Sequence, residues 1–262
     1  MKNKIISFIN HYFLYFIGIF TLFMLKLFYS RADADGLIFM LAPVTWLVNI
    51  ISGIPFYRES HVGYVSHTLQ FIIAPSCSGF QFMMIAFATL YFSVLHTANS
   101  ENTLNFSFVQ KKRGFFFLIV SLLVSYLFTI PVNAVRILLS LYLPAIIVRL
   151  PRLAALLTQD TLHTLIGTVT YFTALLFFYS ASAKVTACFF TTKVPVVRRT
   201  ATAFSPLFWY LVVVLGIPFL TRTLQGNYSG FFSYAVLILA VCLIIFTLKT
   251  ILTAISRHSK LL

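Results

Sequence analysis

Seven stretches of this 262-residue chain, roughly 5–28, 37–54, 79–98, 114–130, 161–181, 206–221 and 231–252, are apolar over lengths close to a bilayer crossing. A crossing takes about 20 residues of helix. The pattern reads as an all-α polytopic integral membrane protein, one domain over 1–262, with a C-terminal helical pair at about 204–252. Composition agrees, since 60% of the residues are hydrophobic and 9% are charged, where a soluble domain carries about 25% charged residues. With a mean hydropathy of +0.95, polar surface is too scarce to coat a water-soluble globule. A cytosolic enzyme, a secreted disulfide domain and a disordered tail are excluded. Three cysteines, Cys77, Cys188 and Cys242, are odd in number and widely spaced, so no disulfide framework is expected. The apolar run to Phe28 behind Lys2 and Lys4 is too long for a signal-peptide core and is expected to stay as a helix.

Nineteen Lys and Arg stand against five acids, a formal net charge of +14. The basic residues fall mostly in short gaps between apolar runs, where the positive-inside rule accounts for them without a nucleic-acid partner. Three such gaps are expected to be cytoplasmic: Lys111 to Arg113, Lys184 to Arg199, and Arg257 with Lys260. The span 79–98 then starts outside, with Cys77. Arg136 and His163 share that side provided 132–160 does not cross. The stretch 132–150 is broken by Arg136, Pro144 and Arg149 and reads as a partial or interfacial helix. Seven crossings with a cytoplasmic tail would put Lys2 and Lys4 outside, against the rule, whereas Lys26 and Arg31 would obey it. Residues 55–76 differ from the other gaps, being polar and β-branched. Ser60 and Gly63 suggest a turn between two short extended segments, an outer flap leading into Cys77.

Three positions carry the chemistry. Cys77 follows Pro75, which stops any preceding helix, and lies beside Ser76 and Ser78, either of which can cap the next one. Unpaired amides and the positive dipole end at a helix start favour thiolate, and hence a nucleophile. The bland reading, a small buried apolar residue, suits Cys188 and Cys242. Arg136 lies in an apolar segment, where a cation costs about 3 kcal/mol at mid-bilayer, so it faces protein or water unless it snorkels to headgroups. Asn133, one turn earlier, is placed to orient it. His163 opens a span three residues after Asp160, a pairing that would fix the imidazole tautomer and raise its basicity. Otherwise it is a polar residue at a helix end. Gly167, one turn on, admits close approach by another chain. His61 and His67 in the flap are rival bases. Their spacing matches no common zinc motif and few acids remain, so no metal or other cofactor is expected.

Cys77-Ser78-Gly79, Asn133-Ala134-Val135-Arg136-Ile137, and His163 with Gly167 resemble, in order, the three signature blocks of the exosortase/archaeosortase family. The resemblance covers roughly residues 40–180. The compact front half and the flap with Tyr64 are most similar to short exosortases of the K type. What it implies is a membrane-embedded cysteine transpeptidase of the cytoplasmic membrane, with its site on the extracytoplasmic face. The substrates would be exported proteins ending in a short motif, a transmembrane helix and a basic tail, sorted to the cell envelope. Catalytic residues would be Cys77 as nucleophile, Arg136 as stabiliser of the carbonyl oxygen and His163 as proton carrier. Ser78, Gly79, Asn133 and Asp160 would support them, with membrane lipid and an unknown acyl acceptor as further partners. A transporter or lipid-linked carrier that holds an anionic head group on Arg136 is the alternative, and it needs no thiol.

Overall fold

The computed structural model describes residues 2–100, 108–149, 158–190, 205–225 and 230–258. In chain order these form α1 (Lys2–Arg31), α2 (Ile38–Ser52) and three short strands, β1 (Tyr57–Glu59), β2 (Gly63–Ser66) and β3 (Phe71–Ile73). A 3₁₀ turn (Pro75–Cys77) then leads into α3 (Phe80–Ser100), α4 (Phe108–Ile147) and α5 (Gln159–Phe190). The chain continues with α6 (Ser205–Leu211), a π-helical turn (Val212–Gly216), α7 (Ile217–Gln225) and α8 (Phe231–His258). The architecture is that of an all-α membrane protein. Lys2, Lys4, Lys111 to Arg113, Cys188 and most of the later basic residues lie outside the described residues or their described side chains.

The seven expected spans are matched in part. Among the described residues, five helices are long and apolar enough to cross: Tyr12–Arg31, Pro75–His96, Gly114–Ile147, Gln159–Lys184 and Phe231–Thr253. Helix α2 has 15 residues and is therefore about 22 Å long, shorter than a hydrocarbon layer of about 30 Å. It ends at Gly53, whose φ of 68° closes the helix through an N–H bond to the Asn49 carbonyl. The stretch 206–221 is divided among α6, the π turn and α7, which has Pro218 at its second position.

The partial helix expected at 132–150 does not stand alone. It continues 114–130 as a single 40-residue helix, α4, about 60 Å long. Pro131 and Pro144 lie within it, and neither breaks it. The proline at 144 falls in the last turn, and Arg149 lies past the end. Around Pro131 the packing compensates for the lost hydrogen bond, since Ala134 and Ile137 are fully buried against α2 and α3. Arg136 does not interrupt the apolar pattern because it points inward.

Helix α3 is the central post. Its span is 78% buried, against 11% for α1 and 17% for α8, whose Phe- and Leu-rich outer faces are left for lipid. Tyr91 of α3 donates to the Leu14 carbonyl of α1 at 2.9 Å, and at the opposite end Tyr29 stacks on Phe80 with centroids 5.3 Å apart. The two helices therefore run antiparallel. Leu14 also lies against Gly114 of α4, while Asn133 of α4 reaches Cys77. Lys249 of α8 donates to the Leu176 carbonyl and to Ser180 of α5, at 3.2 and 2.9 Å, well down α5 from His163. The Cys77 end of the bundle is thus opposite the end where Leu14 meets Gly114.

The flap has three antiparallel strands in the order β1-β2-β3, rather than two segments. Glu59 pairs with Gly63 across the first turn, so Gly63 belongs to β2 and does not turn the chain. It must be glycine for another reason: its φ is 125° and a Cβ would run into the Ile73 carbonyl. Asp33 and Asp35, between α1 and α2, clasp this flap. Arg58 donates to Asp35 at 2.8 Å, as do the Ser60 hydroxyl at 2.9 Å and the His61 amide at 3.1 Å, and His61 Nδ1 meets Asp33 at 2.8 Å.

The clasp makes the flap sensitive to pH. Arg58 is the main cause holding the Asp35 carboxyl down at about 2. The Gly36 amide and then His61 lower Asp33, and Asp33 in turn raises His61. The carboxylates contribute fully above their unfolded value and are lost as pH falls through the depressed one. His61 contributes fully below its unfolded value and is lost as pH rises through the raised one. Both are complete between about pH 4 and pH 6.5. Hydrogen exchange of 57–73, corrected for its intrinsic pH dependence, should be slowest in that window and quicken above it. In His61→Gln the alkaline rise should vanish. A profile unchanged by that substitution would show that His61 does not hold the flap.

Candidate active site

Cys77 does not itself open α3, and the cap falls to one of the two serines expected for it. Cys77 ends the 3₁₀ turn opened by Pro75, its amide donating to the Ala74 carbonyl at 2.8 Å, and α3 begins only at Phe80. The cap belongs to Ser78, which is fully buried and accepts from the Phe80 amide at 3.3 Å. Gly79 makes the turn between them at φ 76°, and a Cβ there would sit 2.9 Å from the Asn133 side chain. Glycine is therefore required twice, for its dihedral and for the approach of α4.

Helix α4 supplies Asn133 and Arg136 from one face, three residues apart. Asn133 is fully buried and donates from Nδ2 to the Cys77 carbonyl at 2.6 Å. It fixes the turn that carries the thiol and is not bonded to Arg136, the role expected for it. Arg136 is only 7% exposed, so it is not a headgroup anchor. Its guanidinium faces the Cys77 thiol and lies 2.7 Å from His163 Nε2. A guanidinium only donates, so Nε2 is the acceptor, and the imidazole proton is on Nδ1. The Nε–H of Arg136 is buried with no acceptor among the described residues. Gly167 lies beside it, where a Cβ would come 3.4 Å from Nε. The chain that approaches Gly167 closely is thus the arginine side chain.

Helix α5 presents His163, Gly167 and Tyr171 at four-residue spacing on one face. Asp160 is exposed and forms no hydrogen bond with His163. The tautomer is set by Arg136, not by Asp160. His61 and His67, the rival bases, stand apart from the thiol. They are 77% and 71% exposed and face Asp33 and Glu59. The possible ligand atoms of Asp33, Asp35 and His61 lie within 4.8 Å of one another, but Asp35 is already engaged by Arg58, Ser60 and the His61 amide.

Two residues reach the site that the motifs did not indicate. Tyr171 donates its hydroxyl to Asn133 Oδ1 at 2.6 Å, and its ring lies 5.4 Å beneath the Arg136 guanidinium. The period that links His163 to Gly167 points to Tyr171 when carried one turn further. Tyr29 of α1 stacks on Phe80, three residues after Cys77, and nothing in its Phe-rich helix distinguishes it. Arg136 is thus a neighbour of both the imidazole and the thiol. Such a set can hold a thiolate beside a cation and stabilise a second negative charge nearby. Compared with known proteins, the chain matches no family model, no curated protein and no solved structure.

Proposed function

We propose that the chain is a membrane-embedded cysteine transpeptidase of the exosortase type, cutting exported proteins just outside their C-terminal transmembrane helix. The observation that supports this is the shared use of Arg136. Its guanidinium faces the Cys77 thiol and binds His163, while its Nε–H lacks an acceptor. An unsatisfied buried donor costs about 1–3 kcal/mol, a cost relieved when an oxygen carrying developing charge arrives beside it.

In the proposed reaction, a substrate carbonyl draws the guanidinium away from His163, freeing Nε2 to take the Cys77 proton. The thiolate attacks the carbonyl carbon and Arg136 stabilises the oxyanion. Collapse breaks the C–N bond, and the leaving amine, with its helix and basic tail, takes the proton from His163. An acceptor amine or water then attacks the thioester, passing its proton to His163; the C–S bond breaks, and the departing Cys77 sulfur takes that proton back. Orientation is part of the proposal: the basic gaps are cytoplasmic and the Cys77 end is extracytoplasmic. Because α2 does not cross, α1 can begin on the cytoplasmic side, where Lys2 and Lys4 satisfy the positive-inside rule, and the apolar stretch Ser205–Leu220 makes the crossing that keeps the C-terminal basic residues cytoplasmic.

One experiment tests location and chemistry together, in cells whose enzyme keeps Cys77 as its only cysteine. A membrane-impermeant maleimide should label Cys77 without permeabilisation. Overproducing an exported protein with a motif-helix-basic C-terminus should block labelling, and hydroxylamine should restore it by cleaving the thioester. Labelling only after permeabilisation would overturn the orientation. Protection that hydroxylamine does not reverse would overturn the thioester.

A further inference from the structure

Beside the cation stands a residue that neither the motifs nor the proposed mechanism requires. The Tyr171 ring is held on one side by Phe82 of α3, stacked at 4.6 Å and 9°, and carries the Arg136 guanidinium on the other. Its hydroxyl donates to Asn133 Oδ1, and the same amide donates to the Cys77 carbonyl. Asn133 has one carbonyl oxygen and one amino group. With the oxygen held by the phenol, the amino group is directed at the Cys77 turn. Arg136 meanwhile rests on the ring face, an arrangement that favours a cation within about 6 Å of the centroid. A single side chain thus sets the position of the thiol through its hydroxyl and the plane of the guanidinium through its ring.

We infer that Tyr171 is the positioning residue that aligns Cys77 with Arg136, acting on the thiol through Asn133 and on the guanidinium directly. This rests on the transpeptidase reading for its catalytic meaning, but the alignment is a property of the unreacted protein. Tyr171→Phe removes the hydroxyl alone, whereas Tyr171→Leu removes the ring as well. Asn133→Ala cuts the relay downstream of the hydroxyl.

The test is a double-mutant cycle on the full chain in membranes, with Cys188 and Cys242 replaced. Two rates are read at neutral pH: maleimide labelling of Cys77, and processing of an exported substrate with the motif-helix-basic tail. Loss of one aligning hydrogen bond should slow labelling about fivefold to tenfold in Tyr171→Phe, because the turn that carries the thiol is no longer held in place. Adding Tyr171→Phe to Asn133→Ala should cause little further loss of labelling, since the hydroxyl reaches the Cys77 turn through that amide. Tyr171→Leu should fall well below Tyr171→Phe in processing, at matched protein levels. Additive losses in the labelling cycle, or Phe and Leu variants equal in both rates, would overturn the inference. Labelling needs no substrate, so a chain that labels as expected but processes nothing would sink the transpeptidase reading and leave the alignment standing.

Discussion

Cys77→Ala is expected to abolish processing while the protein inserts and accumulates normally. The backbone around the thiol explains why the fold should survive. The turn is held by the Cys77 amide on the Ala74 carbonyl and by Asn133 on the Cys77 carbonyl. Both contacts belong to the main chain of residue 77 and persist when the side chain becomes a methyl group. The thiol itself is only part-buried, so its removal leaves no deep cavity. Replacing a nucleophile typically costs on the order of 10⁴-fold or more in rate, and no neighbour substitutes for it. Ser78 is buried and already caps α3, and an unactivated Ser76 hydroxyl is far weaker than a thiolate. Cys242 is buried in the cluster with Phe172 and Tyr210, and its replacement should leave processing nearly unchanged. The measurement is the fraction of a tagged substrate processed over time, at equal enzyme levels in membranes. Normal processing by the Cys77 variant would refute the cysteine mechanism and favour a carrier that binds its ligand on Arg136.

Arg136→Lys should slow processing at least about a hundredfold, the cost of losing one well-placed oxyanion donor. Charge is kept, so any role that needs only a cation survives. Geometry is not kept. The guanidinium faces Cys77, binds His163 at 2.7 Å, stacks over Tyr171 and holds an Nε–H toward Gly167, four directions served by one planar fork. A lysine nitrogen at the end of a flexible stem serves one or two of them. Its three donors also diverge, so it cannot present an oxyanion with the parallel pair of N–H groups of a planar fork. Substrate binding, measured by cross-linking the substrate helix to the enzyme, should change little, because the loss falls on the transition state. Near-normal turnover in the lysine variant would remove Arg136 from the chemistry.

The membrane class was legible at once, because the hydropathy of a 20-residue window depends on composition alone and not on neighbours. The positions of Cys77, Asn133, Arg136 and His163 were legible too. A thiol after a Pro-Ser turn, or an arginine in an apolar run, is costly or reactive enough to stand out wherever the chain folds. The number of crossings was not legible. Whether α2 spans, and whether α4 breaks at Pro131 or Pro144, depends on what each helix packs against, and the packing of Ala134 and Ile137 against α2 and α3 kept α4 whole.

Pairing between helices was hidden for the same reason. Sequence spacing relates residues on one helix, so it suggested Asp160 for His163 and Asn133 for Arg136, each a neighbour on its own face. Tertiary structure gave His163 to Arg136 and Asn133 to the Cys77 carbonyl, contacts 27 and 56 residues apart. Asp33 and Asp35 met Arg58 and His61 in the same way, across the connection that α2 folds back. Which residues are chemically expensive to bury is written in the chain. Which partners repay that expense is decided only when α3, α4 and α5 close around one another, because a hydrogen bond acts over about 3 Å and has no reach along the sequence.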